Sequence, residues 1–293
     1  MTNQSISADG QATRQAAPVA PVSRPPNLLL TLTEAPRVMA EFTALLATWP
    51  WLTKLPKGDG HPVLVLPGFT AGDPSTLMLR RFLRELDYEV LPWQLGTNTG
   101  NAWLVPMLHK RINAIIKTTD APFSIVGQSL GGVFARELAR SFPSHVRSVI
   151  TLGSPFRTQD GEGTSALVRR MFERSTALRP EERAQLGLAR KDQRPPSVPC
   201  SAIYSRGDGV VAWDLCREPD GPVNESIEVL GSHTGMSMNP LVLWLVADRL
   251  RQQPHDWAPL DRRAWRRAWF DLAIAPVRDA PRLEFMRPLR AGL

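Results

Sequence analysis

From residue 61 onward the chain alternates short apolar runs with stretches of helical periodicity, and that alternation leaves few folds open. Val63-Leu64-Val65-Leu66, ended by Pro67-Gly68, is the first run. Tyr88 to Trp93, Phe123 to Val126, Val146 to Leu152, Cys200 to Tyr204 and Ile227 to Leu230 follow, which makes six expected strands. Between them Met78, Phe82 and Leu86 recur every four residues, and Ala102 to Lys117 and Leu130 to Phe142 carry helical patterns. Leu241 to Leu250 is apolar almost all round, the pattern of a buried helix. Strands apolar on both faces and separated by helices imply an α/β fold, with a mostly parallel sheet of about six strands covered on both sides. Asp73-Pro74 and Asn239-Pro240 each join an N-capping side chain to a proline suited to the first helical position.

The rest of the chain divides around that unit. Residues 1–26, rich in Ala, Pro, Ser and Gln, read as a disordered tail. Residues 27–60 read as a helical brace, with Val38, Phe42, Leu45 and Leu46 on one side and Trp49-Pro50-Trp51 ending it; packing over the body is the favoured reading and contact with lipid the alternative. The α/β domain is expected over 61–254, interrupted at 155–199 by a charged, Pro-flanked insertion of cap or lid type. The extension 255–293 sets Trp257, Trp265, Trp269 and Phe270 among Arg262, Arg263, Arg266 and Arg267. Wrapping the body with arginine stems along its surface is the favoured reading of that segment; peripheral contact with a membrane surface is the alternative.

Charge and cysteine content narrow the partners. Lys plus Arg is 35 and Asp plus Glu is 28, a formal charge of +7. No zinc finger, helix-turn-helix or RNA-stacking signature accompanies that charge, so no nucleic-acid partner is expected. No run approaches the roughly 18 apolar residues of a spanning helix, and residues 1–15 lack a secretory pattern. Two cysteines are neither a disulfide scaffold nor a metal motif. A cytoplasmic location is expected, with membrane association through 255–293 left open. Cys200 and Cys216 bracket Asp208; unrelated buried thiols are the favoured reading, and a disulfide tying that loop in an exported protein is the other.

One short motif carries chemistry. Gly127-Gln128-Ser129-Leu130-Gly131 is a G-x-S-x-G lying between an expected strand and an expected helix. That setting is what a nucleophile elbow needs: the serine occupies a strained turn, and Gly127, Gly131 and Gly132 let the backbone bend tightly. A serine hydroxyl requires a base, and the base an orienting carboxylate. Among the histidines after the serine, His233 directly follows the last expected strand, whereas His255 lies beyond the final helix. His61, His109 and His145 suit structural or surface roles. Asp208, just past Cys200–Tyr204, is the expected acid, with Asp214 as competitor. The oxyanion donors are expected to be the amides of Leu130 and Phe69, the latter in Pro67-Gly68-Phe69-Thr70 after the first strand. Trp93 and Trp103, with the cap, are expected to line an apolar pocket.

Together, Leu66-Pro67-Gly68-Phe69, Gly127 to Gly132, Asp208-Gly209-Val210-Val211 and Gly231-Ser232-His233-Thr234-Gly235-Met236 resemble the α/β-hydrolase superfamily. More narrowly they resemble bacterial lipases and carboxylesterases. The resemblance spans about residues 61–252. It implies an α/β-hydrolase fold with a small helical cap, a Ser129–His233–Asp208 triad, an acyl-serine intermediate, and neither metal nor cofactor. Related enzymes with an aspartate or cysteine nucleophile are excluded by Ser129. The chain departs from the pattern in two places: its oxyanion loop begins Pro-Gly rather than His-Gly, and 1–60 replaces the usual early hairpin. Hydrolysis of an ester or lipid with a lipophilic acyl group is the expected activity. Acyl transfer, thioester cleavage and a membrane-associated non-catalytic scaffold remain the alternatives.

Overall fold

The computed structural model describes residues 23–101, 103–119, 121–157, 163–166, 169–170, 181, 194–219, 221–261, 263, 265 and 266. Six strands form one sheet: β1 (Pro62–Leu66), β2 (Glu89–Leu91), β3 (Phe123–Gln128), β4 (Val146–Leu152), β5 (Cys200–Ser205) and β6 (Asn224–Val229). Their order is β2-β1-β3-β4-β5-β6 and every pairing is parallel. The chain leaves β1 for one edge and then crosses back to β3 on its other side. The β1/β3 boundary is therefore the topological switch point, where a crevice opens beyond the carboxyl ends of the strands.

Strand periodicity divides the core into two layers. Val63, Val65, Val126, Ile150, Leu152, Ile203 and Val229 point to one face. There they meet α2 (Glu34–Leu52), α3 (Leu77–Glu85) and α6 (Pro240–Leu250). Leu64, Leu66, Phe123, Ile125 and Val149 point to the other face, under α4 (Leu104–Thr118) and α5 (Leu130–Ser141). The expected all-round burial of α6 is observed, and Asn239 caps it by accepting from the amides of Leu241 (3.0 Å) and Val242 (3.4 Å).

The N-terminal segment forms a short helix, α1 (Leu28–Leu32), followed by α2, which packs along α6. Three local expectations are corrected. Pro50 does not end α2, which continues to Leu52. A proline in the last turn removes one hydrogen bond, and fully buried Leu52 anchors the turn beyond it. Leu46 faces outward, because the buried stripe is Leu45, Thr48 and Leu52 and its neighbour in sequence sits about 100° around the helix. Asp73 does not cap a helix. Its carboxylate accepts from the amides of Trp93 (3.0 Å) and Gln94 (2.9 Å) beyond β2, and a 3-10 turn at Asp73–Thr76 precedes α3.

Most of the cap expected at 155–199 lies outside the described residues, as does the tail through residue 22. The start of the cap is pinned to the loop after β5: Ser165 N–H donates to Val210 (2.6 Å) and Ala212 N–H to Gly163 (2.7 Å). The described part of the C-terminal extension lies against the body. Leu260 N–H donates to buried Glu225 (2.7 Å), and Trp265 packs on Trp244 with ring centroids 5.4 Å apart. Residues 267–293 are outside the description. Cys200 and Cys216 are buried free thiols, so no disulfide joins them.

Candidate active site

β3 ends against α5 with one residue at the junction, Ser129, whose backbone is at φ 51° and ψ −122°. A non-glycine residue there is strained, and it persists only where the surroundings enforce it. The enforcement is visible. Ser129 N–H donates to Leu152 at the end of β4 (2.8 Å), and its carbonyl accepts from Gly132 (3.0 Å). A methyl on Gly127 would lie 2.5 Å from the Cα of Gly132, and one on Gly131 would strike the Leu66 and Pro67 carbonyls. Only glycines allow β1, β3 and α5 to approach this closely, which accounts for the glycines around the serine. The flanking Gln128 and Leu130 are buried, while Ser129 itself is partly open.

The loops after β5 and β6 bring Asp208 and His233 together. His233 Nδ1 lies 2.6 Å from Asp208 Oδ2. The other Asp208 oxygen accepts from the amides of Val210 and Val211, both at 2.8 Å, so the carboxylate is held from two sides. Both residues are buried. Burial pulls the His233 imidazole down; the adjacent Asp208 charge and hydrogen bond, with a contribution from Glu34, outweigh it and hold the imidazole above its ordinary value. Gln128, next to the serine, donates from Nε2 to the carbonyls of His233 (3.1 Å) and Thr234 (3.2 Å), tying the histidine loop to the elbow. Gly153, after β4, underlies the pair: a methyl there would sit 3.2 Å from His233 Nδ1 and 3.3 Å from Asp208 Oδ2.

The loop after β1 faces the serine from across the switch point. A methyl on Gly68 would lie 3.3 Å from Ser129 Cβ, so the Gly68–Phe69 backbone runs close beside the hydroxyl. The following Thr70 has φ 61°. The loop is held by fully buried Asn98, which accepts from Thr70 N–H (2.7 Å) and donates to Ala71 (2.7 Å) through backbone groups. The Asn98 side chain donates to the Pro67 carbonyl (2.9 Å). Leu130 is the first residue of α5, where amides have no intrahelical acceptor and the helix presents its positive end. Phe69, next to Gly68, and Leu130, next to the serine, add apolar side chains packed on the second core layer.

Other sequence candidates fall elsewhere. Asp214 accepts from Ser23 Oγ (2.6 Å), and His255 is exposed beside Asp256. Trp93 is a core residue rather than a pocket wall: it is 1% exposed, stacks on Phe134 at 6.5 Å, and donates from Nε1 to Gly96 (3.0 Å). Trp103 is exposed. His61 carries a look-alike of the site at the amino end of the sheet, bonded through Nδ1 to Asp59 (2.5 Å) and through Nε2 to Ser124 Oγ (2.9 Å). Ser124 is fully buried near the start of β3, beside a register shift against β4, and continues the chain to Ser148 Oγ (2.9 Å), so this is a clasp between strands.

Sequence reasoning misses a set of supporting residues on α2. Glu34, Arg37 and Glu41 line one face of the helix and bind the loops after β5 and β6. Glu41 accepts from the amide and hydroxyl of Ser232, each at 2.6 Å. Arg37 donates to the Gly207 carbonyl and to Leu30 (2.7 Å). The only signal in the sequence is a charged stripe at helical spacing, which a solvated face would equally explain. Among the described residues no group of three or more His, Cys, Asp or Glu is arranged to hold a metal ion, and no helix is long and apolar enough to cross a membrane.

No protein-family model and no curated protein matches the sequence. Solved structures do match it. Lipase B of Aspergillus fumigatus superposes with a TM-score of 0.54 at 18% identity, over 80% of this chain and 60% of that one. The monoacylglycerol lipase of Paleococcus ferrophilus superposes with a TM-score of 0.50 at 14% identity, over 66% of this chain and 96% of that one. With its six parallel strands and helices on both faces, the chain has the α/β-hydrolase fold.

Proposed function

We propose that this chain is a serine hydrolase of carboxylic esters, acting through an acyl-serine intermediate on substrates with lipophilic acyl groups. The observation that carries the reading is the 2.6 Å bond between buried Asp208 and His233 Nδ1, in a loop tied by Gln128 to the strained elbow of Ser129. With Nδ1–H donated to Asp208, His233 Nε2 is the basic nitrogen. It takes the Ser129 proton as Oγ attacks the ester carbonyl. The oxyanion that forms is received by the amides of Leu130 and Phe69. His233 then returns the proton to the leaving alcohol. Water, activated by the same nitrogen, attacks the acyl-serine, and the carboxylic acid departs with Ser129 regenerated. The apolar side chains of Phe69 and Leu130 beside the serine favour a lipophilic acyl group. In support, both fold relatives described above are lipases.

The test is hydrolysis of p-nitrophenyl esters from C2 to C16 by wild type and Ser129→Ala. Turnover in wild type that vanishes in the variant is expected, with an optimum beyond the shortest chains. Equal turnover by both proteins would overturn the assignment.

A further inference from the structure

We propose that Glu34, on the N-terminal helix α2, is a positioning residue of the triad, whose carboxylate fastens the acid loop to the base loop and adds a second negative charge beside the imidazole. The inference rests on the triad reading above and extends it to a segment outside the α/β unit.

One carboxylate bonds both loops, and the Arg37 guanidinium beside it reaches the Gly207 carbonyl and, at 3.5 Å, the Gly231 carbonyl. Glu34 Oε1 accepts from the amide of Gly209, next to the acid, at 2.9 Å, and from the amide of His233 itself at 3.1 Å. Oε2 accepts from the amide of Thr234 at 3.2 Å. The three donors lie 175, 199 and 200 residues further along the chain, on two different loops. A glutamate in a first helical turn is unremarkable when it faces water, since it complements the helix dipole. Here the side chain is only 12% exposed, and its acceptor sites are directed at the catalytic loops. Neither loop is otherwise bonded to the other along this edge except through the Asp208–His233 pair and the Ser205 hydroxyl, which donates to Gly231 (2.7 Å), among the described contacts. Fixing both loops to one rigid helix sets the distance between acid and base, and misplacement by about 1 Å is enough to cost on the order of 10²-fold in rate.

Charge supplies the second contribution. The groups facing His233 are Asp208 on the acid loop and Glu34 on α2, with Arg37 paired to Glu34 at 2.9 Å and Glu41 two turns along against Ser232. The Cys216 thiol beside Asp208 is pushed well above its ordinary value by burial and stays neutral. Glu34 favours the imidazolium that forms when His233 takes the serine proton; the Arg37 guanidinium, paired with that carboxylate at 2.9 Å, carries the opposite charge. Removing the two side-chain charges is therefore expected to move the histidine in opposite directions, whereas simple loosening of the loops would not reverse in sign.

The experiment compares wild type, Glu34→Gln and Arg37→Gln by NMR titration of the His233 imidazole, alongside kcat and KM for p-nitrophenyl butyrate and thermal melting. In Glu34→Gln the amide oxygen keeps an acceptor for two backbone amides, but the NH2 group turns toward Thr234. The expected result for Glu34→Gln is a His233 titration shifted to lower pH, with kcat reduced roughly 10- to 100-fold and KM within about threefold. Arg37→Gln is expected to shift the titration to higher pH, and it decides the electrostatic part should Glu34→Gln fail to fold. Shifts in the same direction in both variants, or an unmoved titration with unchanged kcat in Glu34→Gln, would overturn the proposal. The titration needs no substrate. Absence of ester turnover in wild type would refute the esterase reading alone, and the opposed shifts would still decide on Glu34.

Discussion

Replacing Gly153 with alanine drives a methyl group into the hydrogen bond that joins His233 to Asp208. The added carbon would lie 3.2 Å from His233 Nδ1, 3.3 Å from Asp208 Oδ2 and 3.0 Å from Met236 Sδ. Ordinary contact begins near ~3.5 Å, so the imidazole and carboxylate must each give by a few tenths of an ångström. Scaled against the roughly 10²-fold loss for a misplacement of 1 Å, such a shift corresponds to about a three- to tenfold loss in kcat. Gly153 also has φ 54°, the left-handed region, where an alanine is worse than glycine by roughly 1–2 kcal/mol. A domain of this size should melt lower by about 2–8 °C. Ester hydrolysis followed across pH, with thermal melting of the same samples, measures both effects. A melting temperature equal to wild type would refute the left-handed backbone at 153. A lowered melting temperature with wild-type kcat would refute the contact with the Asp208–His233 pair.

Further consequences concern pH, the loop after β1 and the look-alike clasp. His233 is held above its ordinary 6.5, so kcat/KM should fall as pH drops through that raised value and the base becomes protonated. The same shift stabilises the protonated fold. That contribution is complete below the unfolded value of 6.5 and is lost as pH rises through the folded value, so activity should rise where denaturant melts reveal falling stability. Asn98→Ala removes the donor to Pro67 O and the acceptor for Gly100 N–H (3.2 Å), and should lower stability by about 1–3 kcal/mol in urea melts while reducing kcat; unchanged kcat would show that the loop does not depend on this brace. Ser124→Ala should reduce stability by about 1–2 kcal/mol and leave ester hydrolysis within about twofold of wild type, because Ser124 only joins His61 to Ser148. Loss of hydrolysis on that change would place chemistry at the wrong end of the sheet.

The parts of this architecture legible in the sequence are those written locally. The run Val146–Leu152 coincides with β4, whose Val149–Leu152 half is buried on both faces, as a central parallel strand requires. Ser129, Asp208 and His233 stand out because each follows a strand end, and the fold collects such positions at one rim of the sheet. What sequence reasoning misreads depends on contacts between distant segments. Asp73 has the form of a helix cap, yet its carboxylate is occupied by amides twenty residues on. Trp93 has the form of a pocket wall, yet its ring fills the layer under Phe134. Glu34 has the form of a solvated helix residue, and nothing within its own segment announces the amides it binds near 209 and 233. A polar side chain's partner is set by packing across the whole chain, which residue pattern does not encode.

The central claim is that an acyl group passes through Ser129 Oγ. Rapid acid quench of the protein during turnover of a p-nitrophenyl ester, followed by mass spectrometry of the peptide containing Ser129, tests this directly. The account predicts that peptide heavier by one acyl group, the adduct disappearing as substrate is consumed and absent from Ser129→Ala. Turnover of the ester by Ser129→Ala at the wild-type rate, or an acyl group found on another residue, would contradict it.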